Sequence, residues 1–342
     1  MALTLYVDGA RWRAHQDAVA AAVPGLVPVA KGNGYGFGLA MLAQEAQRLA
    51  SPTLAVGVAA EVAAARSGYD GDVLVLEPHL PQVHVEPGEP DDRVLRTVAS
   101  ADGLDALRGH RVVVELMSSV RRFGLTDAEL GQVAAGLRGH RLEGFALHLP
   151  MTQPPGGKIA EVVQAVERLG RHGFTAPTLW VSHLTDAELA AAGAAAVGTT
   201  LRPRIGTRLW LGSDAHQPRA TVLAVHEVAR GQRYGYRQRR AGRAGHLVVV
   251  SGGTSHGIAL AAPAGGGMGQ RVRAAGTGGL ELVGRALSPF RVGGARRWFA
   301  EPPHMQVSLL WLPAVEPVPA VGSELDVDVR MTTTTFDAVV VR

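Results

Sequence analysis

Short apolar runs alternate with helical patterns through the first two thirds of the sequence. The runs are four or five residues long, are bounded by Gly, Pro or polar residues, and have the character of buried strands. The segments between them carry apolar residues at helical spacing, and the first begins after Asp8, which can cap a helix reaching residue 23. The strands predicted after that helix are residues 26–30, 54–58, 73–76, 94–98, 112–116, 145–149, 179–182 and 197–201.

Eight such strands, with helices between most of them, are the number expected of a (β/α)8 barrel of the TIM type. The predicted helices are residues 39–49, 60–66, 101–107, 127–137, 159–169 and 186–192. We therefore predict an α/β barrel over residues 1–213. A doubly wound parallel sheet is the alternative that this alternation leaves open.

The pattern changes after residue 213, where strand-like runs are separated by Gly and Pro and no helix is indicated. These runs are residues 220–225, 246–250, 280–283, 306–312 and 325–329. They predict an all-β C-terminal domain over residues 214–342, and residues 3–7 are a further strand that can belong to it. The Gly-rich segment 264–269 follows no strand and opens no helix, so we interpret it as a loop and not as a phosphate site.

Lys31 is the residue whose side chain and position most clearly indicate a role in catalysis. It ends the apolar run 26–30, and Gly occupies every second position after it, so a buried strand delivers an amine into a loop that other groups can approach closely. The chain has 34 Lys plus Arg, yet Lys31 and Lys158 are the two lysines. An amine can lose its proton and attack a carbonyl, whereas a guanidinium cannot. A surface lysine that only reaches for solvent is the alternative interpretation of Lys31.

Two phosphate-binding motifs are excluded by spacing. A dinucleotide-binding turn needs a third glycine where Phe37 stands and an acidic residue about 20 positions beyond the strand, where Ser51 and its neighbours stand and no acidic residue follows until Glu61. A nucleotide-binding loop needs Ser or Thr after Gly-Lys, but Lys158 is followed by Ile159.

Composition narrows the class of protein. The chain of 342 residues is 46% hydrophobic and 19% charged, which is typical of a soluble globular protein with two domains. Its net charge is only +4, and its high pI reflects Arg in place of Lys, so no nucleic-acid partner is predicted. The absence of Cys excludes thiolate metal sites, and no apolar run reaches the length of a membrane span. Without a leader-like start, we expect a cytoplasmic protein that binds no membrane.

The lysine loop resembles that of the alanine racemases, a family of pyridoxal phosphate (PLP) enzymes of fold type III. Their motif is Lys-Ala-Asn-Ala-Tyr-Gly-His-Gly, and residues 31–38 read Lys-Gly-Asn-Gly-Tyr-Gly-Phe-Gly. A barrel followed by a β domain agrees with this family as well. The resemblance implies that Lys31 forms a Schiff base with PLP and acts as a proton-transfer base, with Tyr35 near the cofactor phosphate.

Further positions resemble the family in the same order along the chain. Arg122-Phe123-Gly124 is similar to Arg-Leu-Gly, which implies a contact of Arg122 with the cofactor and the substrate carboxylate. Where the family often has a carbamylated lysine, this chain has Glu115, which can supply the same negative charge. His148 is placed under the cofactor ring, and Ser182, or His183 beside it, is placed near the phosphate.

The segment that begins at Arg204 resembles the family's Arg-x-Gly-x-x-Leu-Tyr-Gly. This implies that Arg204 faces the pyridine nitrogen, leaving it unprotonated, with Arg202 as a competitor for that role. The backbone amides of Gly206 and Thr207 are implied as phosphate ligands. Met305 corresponds to a methionine whose amide contacts the substrate carboxylate across a dimer.

The chain departs from the family in the β domain, where Gly-Tyr-Ala-Asp-Gly-Tyr contains the tyrosine that serves as the second base. Residues 253–258 read Gly-Thr-Ser-His-Gly-Ile, so Thr254 or Gly253 replaces that tyrosine. An alcohol is a poor base at neutral pH, which leaves His256 as the candidate, with Tyr234 or Tyr236 as alternatives.

These observations predict a PLP-dependent, racemase-like enzyme of amino acid metabolism that acts on a small amino acid. PLP chemistry on one face, as in a lyase, decarboxylase or transaminase, is an alternative, and a PLP-binding protein without activity is another. A homodimer is expected. No metal is predicted, because His256 and His304 without a third ligand form a weak site.

Overall fold

A computed structural model describes residues 2–84, 88–260 and 286–342. The chain forms two compact units. The β unit comprises Met1–Trp12, Tyr35–Gly38 and Ser213–Arg342, and the barrel unit comprises Arg13–Gly34 and Leu39–Gly212. Strand β1 (Leu3–Val7) and helix α1 (Gly9–Ala22) begin the chain, and α1 leads from the β unit into the barrel unit.

The barrel unit contains eight parallel strands. They are β2 (Val27–Pro28), β3 (Thr53–Val56), β4 (Asp72–Pro78), β5 (Val94–Val98), β6 (Arg111–Leu116), β7 (Arg141–Leu147), β8 (Thr178–Ser182) and β9 (Thr200–Ile205). Their order is β2-β9-β8-β7-β6-β5-β4-β3, and a bridge between Val29 and Ala55 joins the first strand to the last. This closure confirms the predicted (β/α)8 barrel and excludes the open, doubly wound sheet.

Helices follow most of the barrel strands. They are α2 (Leu39–Arg48), α3 (Val62–Arg66), α4 (Ala101–Ala106), α5 (Asp127–Leu137), α6 (Gly157–Arg171), α7 (Asp186–Ala195) and α8 (Thr207–Leu211). Thr126 and Thr185 begin α5 and α7 by accepting the amides of Glu129 and Glu188, the residues three positions on, which complete capping boxes. Among the described residues, no helix is long and apolar enough to cross a membrane.

Side chains from alternate positions of the strands fill two separate layers. Inside the barrel they are Val27, Val29, Ala55, Leu74, Leu95, Val113, Ala146 and Trp180. The other positions pack outward against helices, as Val114 and Phe145 do against Leu130 and Leu169. Because the interior is filled, ligands can reach only the loops at its ends.

The strand that carries the lysine is held from three sides. The Val29 amide donates to Ile205 O at 2.9 Å, and the Ala30 amide donates to Ala55 O at 2.8 Å. The fully buried indole of Trp210 donates from Nε1 to Val29 O at 2.8 Å. These bonds fix the backbone two residues before Lys31.

Two predicted strands were displaced from their observed positions. The prediction 145–149 is β7 at Arg141–Leu147, so His148 is the first residue after that strand. The prediction 197–201 is β9 at Thr200–Ile205. The apolar pattern was misleading there because the Ala-rich run extends α7, while β9 carries Arg202, Pro203 and Arg204 in a barrel wall.

The β unit is built of strands, as predicted, and its main sheet is largely antiparallel. Its strands are β10 (His216–Val228), β11 (Arg233–Tyr234), β12 (Arg239–Arg240), β13 (Gly245–Ser251), β14 (Leu287–Val292), β15 (Ala295–Phe299), β16 (Val307–Pro313), β17 (Glu324–Val327) and β18 (Ala338–Val341). The main sheet has the order β13-β16-β15-β14-β17-β10-β1-β18. Strand β1 pairs antiparallel with β10 and parallel with β18, so residues 3–7 lie in this sheet. The predicted strand 280–283 and loop 264–269 lie outside the described residues.

Candidate active site

Lys31 lies directly beyond β2, at the end of the barrel where the parallel strands terminate. Its carbonyl accepts the Gly34 amide at 3.1 Å, which closes a tight turn after the lysine. Gly32 and Gly34 both have φ of +60°, and a Cβ at Gly34 would lie 2.7 Å from the Leu39 nitrogen. The turn therefore requires glycine at residue 34, and the alternating glycines have a steric explanation.

The environment of Lys31 favours the neutral amine. Burial lowers the pKa of Lys31, and the guanidinium groups of Arg122 and Arg204 lower it further, while Glu61 opposes them. The pKa of a lysine whose amine was fully surrounded by solvent would not be lowered in this way. The arrangement supplies a nucleophilic amine beside two fixed cations.

Arg204 is the most confined of these cations. Burial lowers the pKa of Arg204 to about 10, Glu115 opposes that effect, and Arg122 adds to it. One terminal nitrogen donates to Leu147 O at 3.3 Å, whereas Nε is buried without a hydrogen-bond partner among the described residues. Arg204 Nε is thus a donor that a bound acceptor could satisfy.

Glu115 supplies negative charge to this group. Its side chain is only 3% exposed at the end of β6. Burial raises the pKa of Glu115, and the nearby Arg204 and Arg122 oppose that effect. A buried carboxyl group close to two arginines reduces the repulsion between the cations.

Arg202 occupies a different position from Arg204. Its Nε donates to Gly25 O at 3.2 Å, a terminal nitrogen contacts Thr53 Oγ1 at 3.2 Å, and the guanidinium lies 4.7 Å from the Trp180 ring centroid. Gly25 and Thr53 lie where β2 and β3 begin, so Arg202 faces the opposite end of the barrel from Lys31. Arg204, and not Arg202, lies beside the lysine.

His148 and Ser182 meet at the ends of β7 and β8. The Ser182 hydroxyl accepts the Leu149 amide at 3.3 Å and lies 3.1 Å from His148 Nδ1. Burial lowers the pKa of His148 to about 3, helped by Arg204, Arg122, His183 and Lys31. The ring is therefore neutral, and because Ser182 can donate to Nδ1, its proton belongs on Nε2. The His183 ring stands edge-on to His148 at 5.2 Å between centroids.

Lys158 is excluded from this chemistry by its own contacts. It is 8% exposed, and its Nζ donates to His183 O at 2.7 Å and to Glu188 at 3.3 Å. This lysine joins α6 to the start of α7. Of the two lysines in the chain, Lys31 is exposed and Lys158 is buried.

The predicted phosphate ligands belong to two segments. Tyr35 is buried in a short 3₁₀ turn, Gly34–Gly36, with a left-handed φ of 54°. Gly206 precedes α8, and Thr207 is its exposed first residue. The first amides of a helix have no partner within it, which suits them to an anion.

Glu61 was not predicted to be a site residue. It ends the turn that follows β3, and its carboxylate accepts the Gly32 amide at 2.7 Å. The sequence did contain a signal: residues that follow neighbouring barrel strands share one end of the barrel, so an acidic residue soon after β3 can reach the lysine that follows β2.

Thr254, His256 and Met305 belong to the β unit. His256 is buried at the end of the 3₁₀ turn Thr254–His256, where Nδ1 accepts the Gly253 amide at 3.2 Å and Nε2 donates to Asp337 at 3.0 Å. Both ring nitrogens are therefore engaged. Thr254 is exposed, as is Met305, whose carbonyl accepts from the Ser255 hydroxyl at 2.6 Å.

Gly253, the alternative position for the missing tyrosine, cannot carry a side chain. A Cβ at Gly253 would overlap the carbonyl oxygen of His304, so no side chain fits there. Of the two positions that could replace the tyrosine, Thr254 is the one that carries a side chain. Within the described parts of the chain, no group of three or more His, Asp or Glu could hold a metal ion.

A barrel with a lysine at the end of its first strand, combined with an antiparallel β domain, defines the fold of the type III PLP proteins. The model of the alanine racemase N-terminal domain matches residues 7–206, and the chain belongs to this family. No curated protein matches the sequence.

Solved structures share the architecture over nearly the whole chain. The biosynthetic alanine racemase of Pseudomonas aeruginosa is 21% identical, with a TM-score of 0.64 over 96% of this chain and 91% of that one. Alanine racemase of Bacillus anthracis, solved with bound L-Ala-P, is 18% identical, with a TM-score of 0.72 over 95% and 85%. That of Bartonella henselae, solved with covalently bound pyridoxal phosphate, is 14% identical, with a TM-score of 0.69 over 96% and 91%. At these identities the likeness establishes the fold.

The low pKa of His148 predicts a loss of stability in acid. The unfolded chain binds a proton near the ordinary histidine pKa of 6.5, but the folded ring does not until about 3. The free energy of unfolding should therefore fall as the pH falls below 6.5, by at most about 1.4 kcal/mol per pH unit for this group. His148→Gln should lose less stability than wild type between pH 7 and 5 in urea titrations. Equal losses would contradict a neutral His148.

Proposed function

We propose that this protein is a PLP-dependent enzyme of the alanine racemase type that acts on a small amino acid. The observation that carries the proposal is the position of Lys31 beyond the first barrel strand, beside Arg204 and Arg122, where burial and both arginines lower the pKa of the lysine. An amine poised in this way suits an aldehyde cofactor.

The residues present fit the cofactor. The buried Arg204 Nε lacks a partner among the described residues and could donate to a pyridine nitrogen. Lys31 would hold the aldehyde carbon, and the neutral His148 could lie against the ring. The remaining proposed cofactor contacts are Tyr35, Arg122, Ser182, Gly206 and Thr207.

When bound, the cofactor supplies an electron sink for bonds at the substrate α-carbon. The protein decides how strong that sink is and where protons go. Arg204 keeps its own protons, since its pKa of about 10 stays above neutrality, so it would leave the ring nitrogen unprotonated. Lys31 would accept the α-proton, and Glu115 would limit repulsion between Arg204 and Arg122.

Substrate size and charge follow from the same residues. Arg122 is exposed in the loop after β6 and is available to a carboxylate, as the backbone near Met305 would be. A small amino acid presents both a carboxylate for Arg122 and an amine for exchange at the lysine. The choice among small amino acids rests with assays.

Proton chemistry on a single face of the substrate is the second candidate function. It is favoured by Thr254, which stands where the family has a basic tyrosine, and by the two hydrogen bonds that engage His256. For His256 to act as a base, it must give up its bond to Asp337 or to the Gly253 amide. Its catalytic role stays a prediction.

The cofactor linkage can be tested by reduction. Purified protein supplied with PLP and then treated with borohydride should carry the label on Lys31, because Lys158 is buried and paired. Lys31→Ala should lose the label and all turnover, while Lys158→Arg should keep both. Label on Lys158, or none on either lysine, would refute the assignment.

The missing tyrosine predicts weak racemisation. Removing a positioned acid–base group costs about a hundredfold or more, so alanine racemisation by wild type should be slow or absent. Thr254→Tyr should raise it at least about tenfold in a chiral assay if residue 254 faces the reacting carbon. His256→Ala is the companion variant, and a drop in activity would assign it a role in proton transfer. Wild-type racemisation at about ten turnovers per second, unaffected by His256→Ala, would contradict the expectation.

We also propose a homodimer, because Met305 is 71% exposed in the β unit and the family places the equivalent residue against a partner's substrate. Light scattering should give about twice the chain mass of 35.8 kDa. Met305→Asp should shift the mass toward the monomer. A fully active monomer would rule out this assembly.

A further inference from the structure

Glu61 joins two loops of the barrel through its two carboxylate oxygens. Oε2 accepts the amides of Gly57 at 2.6 Å and Val58 at 3.2 Å, in the turn after β3. Oε1 accepts the amide of Gly32 at 2.7 Å, directly after Lys31 on the neighbouring strand. One side chain therefore connects the lysine loop to the end of the adjacent strand.

Helix capping explains only one of these three contacts. Glu129 and Glu188 also accept the amide three residues before them, at 2.8 Å each, and that contact begins their own helices. The Val58 amide has the same relation to Glu61. The contact to Gly32 has no such local purpose, because 29 positions separate the two residues.

The surroundings of Glu61 are shaped to bring it close to the lysine. A Cβ at Gly57 would lie 3.1 Å from the Lys31 Cβ and 3.0 Å from Glu61 Oε2. The absence of a side chain at residue 57 lets the two approach. Glu61 is also the carboxylate that opposes Arg122 and Arg204 in their effect on the pKa of Lys31.

We propose that Glu61 is a positioning residue that fixes the lysine loop and sets the charge around the amine. A carboxylate suits this role because both of its oxygens accept hydrogen bonds. Glutamine has one acceptor oxygen, so its amino group would oppose a backbone N–H on one side. The importance of this role for catalysis rests on the proposed function, but the physical connection does not.

The test uses the full-length protein without added cofactor. Hydrogen exchange followed by mass spectrometry reports on the Gly32 amide, and acylation at varied pH reports on Lys31, with Lys158 as an internal reference in the same digest. Glu61→Gln should exchange about tenfold faster in the peptide containing Gly32, because a charge-assisted hydrogen bond is lost. Its acylation midpoint at Lys31 should move to lower pH, because the opposing negative charge is removed. Glu129→Gln, which loses a cap of the same kind whose hydrogen bonds go to Thr126 and not to the lysine loop, should change neither.

Glu61→Asp tests the effect of Glu61 on the lysine loop separately from the effect of its charge. It also replaces the Gln variant if that variant misfolds. It keeps the negative charge but is too short to reach both loops, so exchange at Gly32 should rise while the acylation midpoint stays near that of wild type. Exchange within twofold of wild type in folded Glu61→Gln, or in Glu61→Asp, would overturn the proposal. A wild-type protein that takes no label from PLP and borohydride would refute the proposed function and leave these exchange results standing.

Discussion

The crowding of positive charge at one end of the barrel is the constraint on which the rest of the site depends. Lys31, Arg122 and Arg204 lie close enough to act on one another, and the low-polarity surroundings of Arg204 strengthen those interactions although Lys31 and Arg122 keep exposed surface. Like charges held close together destabilise one another, and the protein reduces that cost in three ways. The pKa of Lys31 is lowered, His148 stays neutral, and Glu115 places a carboxyl group near both arginines.

Hydrogen bonds from neighbouring elements hold the lysine loop in place. If the lysine loop could move outward, Lys31 would regain water and its ordinary pKa. The Trp210 indole holds the backbone of β2 from one side, while β9 and β3 bind it through Val29 and Ala30. Glu61 holds the residue that follows the lysine. The fold thus maintains an electrostatic state that an isolated loop would not adopt.

The sequence predicted the barrel well because local pattern and global fold agree there. The predicted strands 94–98 and 112–116 correspond closely to β5 and β6, and Lys31 lies beyond the end of a barrel strand, as its sequence position indicated. Prediction was poorer where polar residues form part of a barrel strand, as Arg202 and Arg204 do in β9. Their opposite placements depend on which end of the strand each residue occupies, and a hydrophobicity pattern does not contain that information.

Tertiary contacts were the other part that the sequence could not supply. The bond from Glu61 to Gly32 joins positions far apart in the chain, and only barrel closure brings them together. Likewise, His256 looked like a free base in a short motif, whereas both of its nitrogens are bound once Asp337 is brought beside it. Strands β14, β15 and β18 were also missed, because their apolar patterns are short and their partners lie elsewhere in the chain.

The most direct test of this account is a titration of Lys31 itself. Protein grown with 13Cε-lysine should give two lysine resonances, and Lys31→Arg identifies the one from residue 31. We expect Lys31 to titrate below the ordinary lysine pKa of 10.5, and we expect Arg204→Met, which removes a neighbouring cation, to move the pKa of Lys31 upward. A pKa of Lys31 at or above 10.5 that does not respond to Arg204→Met would contradict the central claim.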